Sequence, residues 1–397
     1  MTRAHPLTGL AVGQTLAWAS IYYLFPPLLL RWEMAMGWSK AEITGAFTLA
    51  ILTSAVCSPI AGRIIDVGRG ASLMAGSAIL SGVTLIALSM VDALWQFIGL
   101  WVVMGVAFAG CLYEPCFAIV TRTKGDAAKR GIVFISLVAG FASTVSFPIV
   151  HSLAELMGWR TTVALCGAVA ILVIAPMLGL AAAALERGDG STEPHRQRPQ
   201  QPSTATASAS RSILTQPIYW FLAIGFACSA VVHGTTLHHL LPFLDETGLP
   251  AAMAVLVASF IGPMQVAGRL AMMAAERFVS HHSVAIASFL LMGLSVALLA
   301  IGNGTPASLV GFALLFGGAY GTVSILRPVI TREVLGGRNF GVISGAVALP
   351  YLIGAAVSPY LGSLLWGVGG YGLMFGTAVS LSLMGCALYL LARRGRA

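Results

Sequence analysis

The chain has 397 residues, 57% of them hydrophobic and only 9% charged, with a formal net charge of +8. Soluble domains carry roughly 25% charged residues, so this chain lacks the polar side chains to cover a water-facing surface, and its solvent is lipid. A soluble enzyme and a nucleic-acid-binding domain are both excluded, because the positive charges fall between apolar runs, where they set topology rather than form a basic face.

A helix needs roughly 20 apolar residues to cross the bilayer core. By that measure twelve spans are expected, at 8–30, 41–65, 71–91, 94–121, 131–154, 160–185, 215–240, 250–275, 283–302, 305–327, 340–365 and 371–392. "MTRAHPLTGLAVGQTLAW" leads into the first without a small-residue cleavage site and reads as an uncleaved first crossing. Between spans six and seven, "ERGDGSTEPHRQRPQQPSTATASASRS" has a disordered composition. It divides the chain into an N-terminal six-helix half (1–185), a cytoplasmic linker (186–212) and a C-terminal six-helix half (213–397). All six cysteines lie in apolar segments without metal-ligand spacing and read as packing residues.

With the N-terminus in the cytoplasm, eighteen of the 22 basic residues fall on the cytoplasmic side, Arg327 at the end of span ten among them. Arg31, Lys40 and Arg160 face the other side, and Arg269 is left inside the membrane. The excess predicts a multi-pass inner-membrane protein with both termini cytoplasmic. The halves also echo each other. "GRIIDVGRG" after span two answers "GRLAMMAAERF" near the end of span eight, and "AIVTR" after span four answers "PVITR" after span ten. Two parallel repeats are a common transporter plan, with the substrate site near mid-membrane at the repeat interface.

Polar residues inside the spans are the candidate site. In span one, Gln14, Trp18 and Tyr22 recur every fourth residue on one face, as a cavity wall or as helix packing would require. Span four carries Tyr113, a candidate substrate contact, and Glu114, followed by Pro115. Glu114 is expected either to carry a coupling proton or to bridge to Arg130, Arg122 or Arg269. In span seven His233 is deep enough to face a cavity, whereas His238 and His239 are placed near the outer surface. Span eight offers Arg269, whose planar fork of donors suits a carboxylate, with Gln265 four residues before it. Its alternatives are a structural ion pair or a gate at the inner rim. In span ten, "FGGAYGTVS" places Tyr320 as a cavity hydroxyl among glycines that read as close helix contacts. Gly62, Asp66, Gly68, Arg69, Arg122, Arg130 and Arg332 read as a cytoplasmic hinge and gating set. There is no Walker loop and no cluster with metal spacing, so no cofactor, no metal and no enzymatic activity are expected.

The twelve spans in two halves, the linker and "GRIIDVGRG" together resemble the major facilitator superfamily. Gly62, Asp66, Gly68 and Arg69 match its signature between spans two and three; Val67 stands where an arginine usually follows the acid, and the spacing is one residue short. The resemblance implies an all-α polytopic fold of twelve transmembrane helices in two parallel six-helix repeats. The span-eight arginine with a polar residue four positions earlier resembles the monocarboxylate porters and the oxalate–formate exchanger, where that arginine holds the carboxylate. Here the earlier position is Gln265 rather than an acid, and span eleven lacks the exchanger's second cation, a lysine. The expectation is a monomeric secondary transporter that moves a small, monocarboxylate-like organic anion by rocking of two halves, coupled to protons. The alternative is proton-coupled efflux of drugs or other amphipathic compounds.

Overall fold

The computed structural model describes residues 6–125, 128–188, 215–302, 304–335 and 340–394; the folded elements among them are helices, with no strand. Helices are what lipid permits, since an uncovered strand edge has no water to bond. The chain divides into two compact units, Met1–His195 and Arg196–Ala397. Most of the expected linker, 189–212, lies outside the described residues.

The first unit contains α1 (Pro6–Ala17), a π-helical turn (Trp18–Tyr22), α2 (Phe25–Met36), α3 (Lys40–Asp66), α4 (Gly70–Leu88), α5 (Leu94–Cys111), α6 (Tyr113–Lys124), α7 (Ala128–Ala139), α8 (Ala142–Val169), a second π turn (Ala170–Ile174) and α9 (Ala175–Gly188). The second contains α10 (Pro217–Glu246), α11 (Ala251–Ala275), α12 (His281–Ile301), α13 (Pro306–Leu335) and α14 (Phe340–Arg394). Nine apolar helical stretches among the described residues are long enough to cross a membrane. Two of them are interrupted by glycine: Gly158 in α8 at φ 79°, and Gly370 in α14 at φ 64°, beside Gly369. A side chain would strain at either positive φ. With the Pro6–Met36 run, these breaks correspond to the twelve expected crossings.

Lipid tails are as apolar as leucine, so helices associate through close packing and hydrogen bonds. In the first unit Phe25 stacks on Phe47 at 4.3 Å, and Trp32, Phe97 and Trp101 fill the same core with no exposure. In the second, α10 runs along α14: a Cβ at Gly354 would come within 2.9 Å of the Ala227 carbonyl. The same face is tied by Thr235 Oγ1 donating to the Ser358 carbonyl at 2.9 Å and by His239 Nε2 donating to the Pro359 carbonyl at 3.0 Å. His238 and His239 are therefore packed between helices, 2% and 0% exposed.

The "GRIID" segment is the last turn of α3, and only Val67–Arg69 form the turn into α4. Gly62 is thus a helix residue, and Gly68 at φ 80° makes the reversal. Arg327 does not end its helix: α13 continues to Leu335 despite Pro328. Proline is tolerated within membrane helices because neighbours satisfy the carbonyl it frees.

Candidate functional site

In the first unit, α1 and the α5–α6 pair both lose helical regularity at the same place. The Tyr23 amide donates to the Trp18 carbonyl at 2.8 Å, five residues back, and such π turns recur at functional sites. Leu112 takes an extended conformation between α5 and α6. The cause of that break is Pro115, which has no N–H to give the Cys111 carbonyl. Gln14, fully buried, supplies the missing donor: its Nε2 bonds the Cys111 carbonyl at 2.8 Å and the Leu112 carbonyl at 3.3 Å. The structure thus spends the Gln14 amide donors on backbone.

The aromatic candidates do come together. Trp18 lies 4.7 Å from Tyr22 and 4.7 Å from Tyr113, and Tyr113 stacks on Phe117 at 4.9 Å. Behind them Tyr22 meets the buried Phe47 at 5.1 Å. These four rings are half-buried, unlike the fully enclosed core aromatics. The Trp18 Nε1 is buried without a hydrogen-bond partner. Glu114 is exposed in the first turn of α6, between Tyr113 and Pro115.

At one end of this unit, Arg122 Nη1 donates to the Ile65 carbonyl at 2.7 Å and pairs with Glu186 at 3.7 Å. Glu186 in turn accepts from the Gly70 amide at 3.0 Å and the Ala71 amide at 3.3 Å, which places a carboxylate on the positive end of α4. Arg122 also lies against Gly68, where a Cβ would sit 3.3 Å from its Nη2. Of the expected hinge set, Gly68 and Arg122 join this knot. Asp66, Arg69, Arg130 and Arg332 are exposed. Glu186, which closes the knot, escaped the sequence reading because it falls where the last helix runs into polar sequence.

In the second unit, Arg269 and Gln265 are buried on α11, at 8% and 6% exposure. Arg269 Nε donates to the Gly321 carbonyl of α13 at 3.3 Å. That reach exists because α11 and α13 touch through glycine: a Cβ at Gly317 would meet the Ile261 carbonyl at 2.7 Å. The close-contact expectation for "FGGAYG" therefore describes these helices. His233 of α10 stacks on Tyr320 at 3.3 Å with the rings parallel, and Phe316 lies 5.2 Å beyond. The Tyr320 and Tyr351 hydroxyls are 2.9 Å apart, and the Arg327 guanidinium lies 4.1 Å over the Tyr351 ring. His233, Tyr320 and Arg269 are thus gathered onto α10, α11 and α13. Tyr351 and Arg327 were missed, the latter because it reads with the cytoplasmic basic residues at the end of span ten.

The Major Facilitator Superfamily model matches residues 10–277. Monocarboxylate transporter 12 of Xenopus laevis is 25% identical over 292 residues, which cover 67% of this chain and 62% of that protein; the chain spans less than two thirds of that relative's length. Among solved structures, a bacterial homolog of the human lysosomal transporter Spinster, inward-facing and occupied, superposes with a TM-score of 0.72 at 15% identity, covering 98% of this chain and 96% of its own. The nucleoside transporter NupG superposes with a TM-score of 0.72 at 12% identity, covering 98% and 99%. At those identities the structural likeness speaks for the fold, while the family match covers well over half the sequence. The chain is a multi-pass membrane protein and belongs to the Major Facilitator Superfamily.

Proposed function

We propose that the protein is a secondary active transporter for a small organic anion of the monocarboxylate type. It works by rocking of its two six-helix halves in the inner membrane, with both termini cytoplasmic. The observation that carries this reading is Arg269: a guanidinium buried on α11 and bonded to the Gly321 carbonyl. A charge in that position is costly unless it has work to do, and a guanidinium fork fits a carboxylate. The sequence likeness to a monocarboxylate transporter points the same way. Glu114 is the coupling acid in this reading, supported by its position at the α5–α6 break, where the helix ladder is already open. The protein acts as a monomer. Purified protein in liposomes should take up labelled monocarboxylate, and Arg269→Ala should reduce that uptake at least tenfold; unchanged uptake removes the reading.

A second reading is proton-coupled efflux of amphipathic or cationic compounds. The half-buried rings of Trp18, Tyr22, Tyr113 and Phe117 favour it, with Glu114 next in sequence to Tyr113: aromatic faces and a carboxylate suit a cation. In that case cells lacking the protein become drug-sensitive, Glu114→Gln fails to restore resistance, and Arg269→Ala restores it.

A further inference from the structure

Arg327 lies on α13 eight residues before the helix ends at Leu335, roughly 12 Å along the axis at 1.5 Å per residue. Its setting differs from that of Arg122, Arg160 and Arg31. Arg122 spends donors on the Ile65 carbonyl and Glu186, Arg160 on the Ser89 carbonyl and Asp92, and Arg31 on the Ala154 carbonyl and Glu155. Arg327 is held instead through its face, over the Tyr351 ring. Its Nη1 is buried with no hydrogen-bond partner. Stacking fixes the plane of a guanidinium and leaves its in-plane donors unspent, which is the arrangement a carboxylate receptor needs.

The charge balance of this half points the same way. Between residues 215 and 394 the acids are Asp245, Glu246, Glu276 and Glu333. Asp245 and Glu246 close α10, and Glu276 follows α11. Glu333, nearest to Arg327 in sequence, is engaged by His281 at 2.8 Å and His282 at 3.7 Å. All four acids thus sit near helix ends, none pairs with Arg327, and an anionic ligand would supply that guanidinium's missing counter-charge. Beside the guanidinium, the paired hydroxyls of Tyr351 and Tyr320 offer donors to a second oxygen. The stacked rings of Tyr320 and His233 offer a flat apolar flank.

We propose that Arg327, with the Tyr351 and Tyr320 hydroxyls, is a carboxylate-binding site of the second unit, shaped for a planar or aromatic monocarboxylate. The proposal rests on the organic-anion reading, but gives the anion a contact distinct from Arg269.

The test uses the purified full-length protein, titrated calorimetrically with benzoate and with its uncharged counterpart benzamide. Wild type should bind benzoate in clear preference to benzamide. Arg327→Gln should weaken benzoate binding by about tenfold or more, the worth of a charge-assisted fork. Arg327→Lys keeps the charge and loses the fork; it should weaken binding about three- to tenfold, and it decides the matter if the glutamine variant fails to fold. Wild-type affinity in either folded Arg327 variant overturns the proposal. Arg269→Gln separates the two ideas. Binding lost through Arg269 alone removes this site and leaves the transport reading; binding lost through Arg327 alone keeps this site and removes Arg269 as the anchor. A wild type that does not distinguish benzoate from benzamide removes both.

Discussion

Gln14 shows how much a single side chain carries in a solvent that cannot hydrogen-bond. Pro115 frees the Cys111 carbonyl, and the Gln14 amide covers it together with the Leu112 carbonyl. An uncovered buried acceptor costs about 1–3 kcal/mol. Gln14→Leu should therefore lower the melting temperature in detergent, by an amount worth about 1–3 kcal/mol, and Gln14→Asn should fall short of rescue because its amide is one methylene nearer the backbone. A melting curve that matches wild type would remove this role. The same residue marks where reading from sequence runs out. Its four-residue spacing from Trp18 and Tyr22 was legible as a face, but the α5–α6 break it serves is nearly a hundred residues away along the chain. Arg327 was passed over for a simpler reason: it stands at the end of the apolar run of span ten and reads with the cytoplasmic basic residues. Arg269 was legible because a lone guanidinium within an apolar run is conspicuous in any membrane sequence.

For the helices, the decisive contact is the glycine seam between α11 and α13. At Gly317 an added Cβ would meet the Ile261 carbonyl at 2.7 Å and the Met264 side chain at 2.6 Å. Gly317→Val should force the helices apart, at a cost of about 1–3 kcal/mol from overpacking, and should loosen the Arg269–Gly321 contact. Gly76→Ala on α4, where nothing lies within 4 Å of the added carbon, should melt like wild type; equal damage from both substitutions would contradict the seam. The Arg122–Glu186 knot makes a separate prediction. Glu186→Gln removes the charge held at the α4 N-terminus, an interaction worth about 0.3–2 kcal/mol, so the melting temperature should fall and the loss should shrink in high salt. A salt-independent loss would point to packing instead. The spans themselves were readable because hydropathy over twenty residues is a strong signal. The π turn at Trp18–Tyr22 was not, since it depends on which neighbour takes each carbonyl.

Across the whole molecule, ionisable groups within the spans are distributed unevenly. Glu114 lies within an expected span of the first unit, and Arg269 lies within an expected span of the second. An anion carrier driven by protons has use for both: a cation to hold the substrate and an acid to take and release the proton. Glu114→Gln should then leave carboxylate exchange intact while abolishing accumulation against a gradient. Loss of both together would assign Glu114 to binding. The most direct test of the account is accumulation of labelled monocarboxylate in proteoliposomes under an imposed inward proton gradient. The account predicts uptake above equilibrium that collapses when a protonophore dissipates the gradient. Uptake indifferent to the protonophore, or no carboxylate uptake at all, would contradict it.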